Sequence, residues 1–183
     1  MPRIVFWNVN KKDLTEQVCA IAAMTNADVI VLNENSVSSE HTLAHLQNRV
    51  SQDFYYPTVI SDKRFHCFCR NRTLDLSEVN SGFRTSVRKL RAGQHRLLLA
   101  LVHGVDPRNY DAENRMSQLI KLMVDIEVVK EQQGTSRLIF LGDFNMNPYD
   151  SGMNLASGLN AMMTKECVKR GYRTYGGEQY DLY

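Results

Sequence analysis

Residues 138–148 read LIFLGDFNMNP: four apolar residues, then Gly142, Asp143, Phe144 and Asn145, then a turn closed by Pro148. An apolar run of this length with no polar alternation suits a strand buried on both faces, as in layered α/β proteins. Three other runs repeat the pattern of apolar residues followed at once by a polar one. Residues 4–7 (IVFW) lead to Asn8, residues 29–32 (VIVL) to Asn33 and Glu34, and residues 97–102 (LLLALV) to His103. In open α/β sheets ligands bind beyond the carboxyl ends of the strands, so four such ends converging would make one polar pocket.

The segments between these runs have helical character. Asp13 is placed to cap a helix with Glu16 three positions on, and Leu14, Val18, Ile21 and Ala22 fall on one stripe. A second, weaker helix is predicted near residues 39–50. The clearest helix spans about residues 111–133, with Met116, Leu119, Ile120, Met123 and Ile126 as its inner stripe and Gly134 placed to end it. Residues 54–96 differ, with short strand-like pieces (FYYPTVI, HCFCRN and the SGFRTSV region) that predict antiparallel pairing. A further helix is expected near residues 161–169. No repeat, low-complexity tract or linker divides the 183 residues, and the expectation is one α/β domain with mixed sheets over residues 1–183.

Composition narrows the function classes by exclusion. The net charge of +2 is too small to identify a nucleic-acid binder by itself, although a local basic cleft would serve a phosphate-acting protein. No glycine-rich dinucleotide fingerprint follows the first strand, and no GxxxxGK[ST] phosphate loop occurs. No apolar run reaches the roughly 20 residues a bilayer span requires, and no signal peptide opens the chain. Cys19, Cys67, Cys69 and Cys167 lack zinc-module spacing, Cys67 and Cys69 alternate along a strand-like piece and read as packing residues, and the expected location is intracellular and reducing, by default the cytoplasm.

The polar residues at the strand ends suit one another chemically. Mg²⁺ prefers hard oxygen donors and keeps several waters; Glu34 and Asp143 offer carboxylates, and Asn8 and Asn145 offer amide groups. Two bare carboxylates would repel a phosphodiester, whereas a metal held between them inverts that field and polarises the phosphoryl oxygen. His103 and the amide N–H groups could then bond the negative charge that develops in the transition state.

IVFWNVN (4–10), ADVIVLNEN (27–35), LLLALVHGVD (97–106) and LIFLGDFNMNP resemble, in order, successive motifs of the endonuclease/exonuclease/phosphatase family. The intervals of 26, 69 and 40 residues between Asn8, Glu34, His103 and Asp143 are similar to that family's as well. The resemblance covers residues 3–148, and Arg115 and Gln118 resemble polar positions on the helix preceding GDFN. It implies a four-layer α/β/β/α sandwich (DNase I-like) and a phosphoesterase using Mg²⁺ or Mn²⁺, with nucleic acid the first-choice substrate and small phosphoesters or lipid head groups the others. By the same resemblance Glu34 is the principal metal ligand, Asn8 supports metal or phosphate, and Asp143 orients or deprotonates the attacking water. Asn145 then contacts the phosphate, and His103 contacts it or assists the leaving group.

Two departures qualify the match. Asn33 stands where the family often has glutamine, and no histidine follows His103, although the family closes on an aspartate-bearing strand and a Ser-Asp-His-like motif. Asp181 in QYDLY resembles that aspartate only superficially. The expectation is therefore a C-terminally truncated domain, with a loss of roughly 10²–10⁴-fold if acid–base help is missing, or a phosphate- or protein-binding module that keeps the fold. Uncovered sheet edges would favour a dimer. His41 and His45, spaced i and i+4, read as a solvated helix face. The basic stretch Arg84, Arg88, Lys89, Arg91 and Arg96 reads as a solvated hairpin or as a track for a nucleic-acid backbone.

Overall fold

A computed structural model describes residues 2–57, 64–162 and 164–182. The chain divides into two compact units, Met1–His103 with Gly134–Asp143, and Gly104–Gln133 with Phe144–Tyr183.

The first unit is built on two sheets. One has the order β1 (Ile4–Asn8), β2 (Val29–Asn33), β3 (Phe65–Cys69), with β1 parallel and β3 antiparallel to β2. The other runs β4 (Leu74–Gly82), β5 (Thr85–Ala92), β6 (His95–His103), β7 (Leu138–Asp143); its first two pairings are antiparallel and β6–β7 is parallel. Side chains alternate along a strand, so each sheet turns every second residue inward. Val29, Val31, Cys67, Leu76, Leu90, Leu99 and Leu101 make one buried apolar layer, with Ile4, Phe6, Ile139 and Leu141 packed against it. Each fully buried leucine there contributes roughly 1.5–3 kcal/mol. Burial pushes the Cys67 and Cys69 thiols up to about 11 and about 12, so both are inert packing groups.

The outer face of the first sheet carries two helices, α1 (Thr15–Thr25) and α2 (Ser39–Arg49). Val18, Cys19 and Ala22 of α1 and Leu46 of α2 pack on Ile30, Leu32 and Phe68. Ser38 caps α2 by accepting from the His41 N–H. Asp13 does not cap α1 as expected. The N-cap is Leu14, without a side-chain bond, and the Asp13 carboxylate accepts the Thr15 N–H at 3.1 Å, making a turn ahead of the helix. Within this unit the layers are thus helix, sheet, sheet.

The second unit holds the long helix α3 (Ala112–Gln133), the short α4 (Ser151–Asn154) and α5 (Lys165–Val168), and a hairpin of β8 (Tyr172–Tyr175) and β9 (Glu178–Asp181). The Asp111 carboxylate accepts the Asn114 N–H at the start of α3, and Gly134 takes φ +60° just past its end. The buried stripe is Leu119, Leu122, Ile126, Val129 and Lys130. Ile120 and Met123, expected inside, instead line an open cavity of about 530 Å³. Lys130 is buried because Glu127 and Asp181 pair with it at 2.9 and 3.0 Å. The helix expected near residues 161–169 is the single turn α5.

Two expectations from the sequence are corrected in the first unit. The four apolar runs do not all bury both faces: β2 and β6 do, whereas every residue of β1 and β7 is half-buried, because each lies at the edge of its sheet. The SGFRTSV region is not a strand but a hairpin, with Gly82 paired to Thr85 and Phe83–Arg84 forming the turn. Of the strand-like FYYPTVI, Tyr55 makes one bridge to Cys69, and residues 58–60 lie outside the described residues.

Candidate active site

The inward face of the first unit changes character along its strands. Continuing the alternation by one step brings Asn8 after Phe6, Asn33 after Val31, His103 after Leu101 and Asp143 after Leu141. Register places Asn8 beside Asn33 and His103 beside Asp143. The four polar ends read from the sequence are therefore neighbours, contributed by both sheets.

Asn8 is the link between them. Its Nδ2 donates to Asp143 Oδ2 at 2.9 Å and to Glu34 Oε1 at 3.3 Å, while its Oδ1 accepts the Asn10 N–H at 2.9 Å. The amide orientation is thus fixed from both ends, and one nitrogen holds two carboxylates within hydrogen-bond reach. Glu34 Oε1 also lies 3.1 Å from His103 Nε2.

The backbone at Glu34 is strained into place. Its φ is +52°, a left-handed conformation that costs a residue with a Cβ roughly 1–2 kcal/mol. The Glu34 N–H donates to Asn33 Oδ1 at 2.8 Å, its carbonyl accepts the Lys11 N–H at 2.9 Å, and Val9 N–H bonds the Asn33 carbonyl at 3.0 Å. These bonds hold the turn that swings the carboxylate toward Asn8.

His103 is kept neutral at ordinary pH. Burial lowers its pKa first and the Arg84 guanidinium adds to this, outweighing the opposite pull of Glu34 and Asp143. Arg84 Nη2 lies 2.9 Å from the same Nε2, and Arg84 Nε donates to the His103 carbonyl at 2.8 Å. Nε2 offers either a proton, which bonds Glu34, or a lone pair, which accepts from Arg84; no single protonation state serves both. His103 Nδ1 is buried with no partner among the described residues.

Asn145 belongs to the second unit. Its φ is +51°, its Nδ2 donates to the Gly104 carbonyl at 3.0 Å, and its own carbonyl accepts from Arg115 Nη1 at 3.0 Å. Arg115, expected as a polar position on the helix, thus supports the loop that carries Asn145. Asp181 is engaged by Lys130, and His41 and His45 stack with ring centroids 4.5 Å apart.

Among the described residues no group of three or more His, Cys, Asp or Glu is arranged to hold a metal ion. The donor set nonetheless fits Mg²⁺, which keeps most of its waters and needs only one or two carboxylates; Glu34 and Asp143, both within reach of the Asn8 nitrogen, supply them. Arg84 lies in the hairpin that the sequence reading expected, but its contact with His103 was not foreseen. A basic residue in a hairpin turn is ordinary, and only the β5–β6 register reveals that it stands opposite His103. Arg88 departs from both sequence readings: it is fully buried and pairs with Glu78 at 3.3 Å.

Two mixed sheets facing across one apolar layer, with carboxylates and a histidine gathered at one end, define the DNase I-like fold. The chain belongs to the endonuclease/exonuclease/phosphatase family, which it matches over residues 5–180. Among solved structures it is similar to TDP2 from C. elegans (TM-score 0.56, 17% identity, 81% of this chain and 49% of that one). It is also similar to D. rerio TDP2 complexed with a single-strand DNA product (TM-score 0.50, 17% identity, 81% and 62%). The endonuclease domain of TRAS1, a telomere-specific non-LTR retrotransposon, is matched with TM-score 0.51 and 18% identity over 99% of this chain and 81% of that domain. At these identities the likeness concerns the fold, and this chain spans about half the length of the C. elegans protein. No curated protein matches the sequence significantly. No helix among the described residues is long and apolar enough to cross a membrane.

Proposed function

We propose that the protein is a divalent-cation-dependent hydrolase of phosphoesters, with a nucleic-acid phosphodiester as substrate and water as the attacking group. The observation that carries this reading is the Asn8 amide, which holds the Glu34 and Asp143 carboxylates together beside His103. Two carboxylates gathered around one amide suit a site completed by Mg²⁺ or Mn²⁺. Glu34 is the principal ligand, with Asp143 and Asn8 adjoining it. Such an ion, when bound, polarises the phosphoryl oxygen and neutralises the charge that builds on it.

The remaining roles fall to the chain's own groups. Asp143, anchored through Oδ2 on Asn8, orients the attacking water with its carboxylate. His103, Asn8 and Asn145 bind the phosphoryl oxygens and stabilise them as charge develops. Nucleic acid is favoured as substrate by family membership and by the folds it shares with a DNA-product complex and an endonuclease domain.

The test is an assay of the protein on labelled DNA and RNA with and without Mg²⁺, alongside Glu34→Gln and Asp143→Asn. Undiminished turnover in either variant overturns the mechanism. A second reading, binding without turnover, is favoured by the engagement of Asp181 with Lys130, which commits that carboxylate to a structural pair. Calorimetric binding of Mg²⁺ and a nucleotide, with no hydrolysis over the same interval, would select it.

A further inference from the structure

We propose that Arg84 is a phosphate-binding residue of the candidate site, oriented toward it by His103. The proposal rests on the phosphoesterase reading above and adds a substrate contact to it.

Arg84 is the second residue of the two-residue turn between β4 and β5, with φ +61°. Turns favour Gly or Asn at such an angle, so an arginine there needs compensating contacts. Three are present, all to His103. The Arg84 carbonyl accepts the His103 N–H at 2.9 Å, Nε donates to the His103 carbonyl at 2.8 Å, and Nη2 reaches Nε2 at 2.9 Å. An arginine on a solvated hairpin would extend into water; this side chain folds back along the end of β6 to the imidazole that also faces Glu34.

The charge arrangement supports the same conclusion. The site gathers two carboxylates, Glu34 and Asp143, and Arg84 brings a permanent positive charge to this cluster through its contact with His103. A phosphodiester entering beside two carboxylates is favoured by such a charge in addition to that of a bound cation. Nε and Nη2 are spent on His103, while both N–H groups of Nη1 make no bond within the described residues. Arg84 is half-buried, so a ligand can still reach it. A guanidinium with one edge fixed and another uncommitted is preorganised to bond a phosphate oxygen. A purely structural role, tying the turn to β6, would need only the Nε bond to the carbonyl.

The experiment is fluorescence anisotropy of the full chain with a fluorescein-labelled single-stranded oligonucleotide, with Ca²⁺ supplied in place of Mg²⁺ to fill the cation site, from 50 to 200 mM salt. Arg84→Asn keeps a residue that tolerates the turn, and Arg84→Lys keeps the charge without the fork. A phosphate contact predicts that Arg84→Asn weakens binding about 5–10-fold and lowers the slope of log K against log salt by about 0.7. Arg84→Lys should keep the slope while losing part of the affinity. With neutral methylphosphonate linkages the difference between wild type and Arg84→Asn should vanish. A wild-type salt slope in Arg84→Asn overturns the proposal, as does a loss of affinity that only follows the thermal midpoint. If wild-type protein itself fails to bind, the nucleic-acid reading falls and takes this inference with it; if it binds and Arg84→Asn matches it, only the inference falls.

Discussion

The two ends of the inner layer are made by the same strands and even by the same face of each, yet they differ in kind. At one end Val29, Leu74, Leu90 and Leu97 are buried among apolar neighbours. At the other, Asn8, Asn33, His103 and Asp143 occupy the next inward positions, joined by Ser86 and the buried Arg88–Glu78 pair. Four of the side-chain nitrogens buried without a partner in the described residues, Asn33 Nδ2, Arg88 Nε and Nη1 and His103 Nδ1, lie in the polar half of this layer. Each such group costs about 1–3 kcal/mol. The apolar half therefore offsets unpaired polar atoms in the other half, a cost that the proposed site would explain.

Substitutions should separate the two halves. The largest effect is expected on chemistry: Glu34→Gln or Asp143→Asn should lower turnover by about 10³-fold, while the thermal midpoint stays within a few degrees of wild type. A midpoint that fell sharply would make these carboxylates part of the scaffold. In the apolar half the pattern should reverse. Leu90→Ala or Leu97→Ala should cost about 2–5 kcal/mol in urea unfolding, with the activity of the remaining folded protein unchanged.

Gly142 lies between the halves. A Cβ there would come 1.9 Å from the Val102 carbonyl oxygen, which forces the β6–β7 pair apart. Gly142→Ala should therefore cost about 3 kcal/mol, and it should reduce activity and stability together, as neither of the other classes does. The smallest effect is on pH dependence. Because burial and Arg84 hold the folded His103 pKa below its ordinary 6.5, the native state binds fewer protons than the unfolded chain over that window. Stability from this group is present above about pH 6.5 and is lost as pH falls through the lowered value. Thermal midpoints measured across that range should drop toward acid, and the drop should shrink in His103→Gln.

Much of this division is legible in the sequence, for a physical reason. A strand covered on both faces must be apolar throughout, so residues 29–32 and 97–102 announce themselves, and the first polar residue after each marks where burial ends. That local rule located Asn8, Glu34, His103 and Asp143. It could not show that β1 and β7 are edge strands, since an edge is a matter of pairing, and their residues are as apolar as those of β2. The Phe83–Arg84 turn was hidden because Phe83, Thr85 and Val87 have the composition of a strand. Arg84 and Arg88 look alike along the chain, yet one meets His103 and the other Glu78 through cross-strand register, which no local pattern encodes. The Lys130–Asp181 pair, formed across 51 residues, was illegible for the same reason.

The left-handed backbone of Glu34 has a consequence for how this position changes over descent. Selection for stability alone would place glycine or asparagine there, because either relaxes the turn at no cost to packing. Under the proposed function, glutamate persists only while its carboxylate is in use, so position 34 would be held against a steady pull. In a lineage released from catalysis it should drift early, well before the leucines of β6. Residue 34 is accordingly the first to inspect when asking whether a descendant of this chain still works as an enzyme.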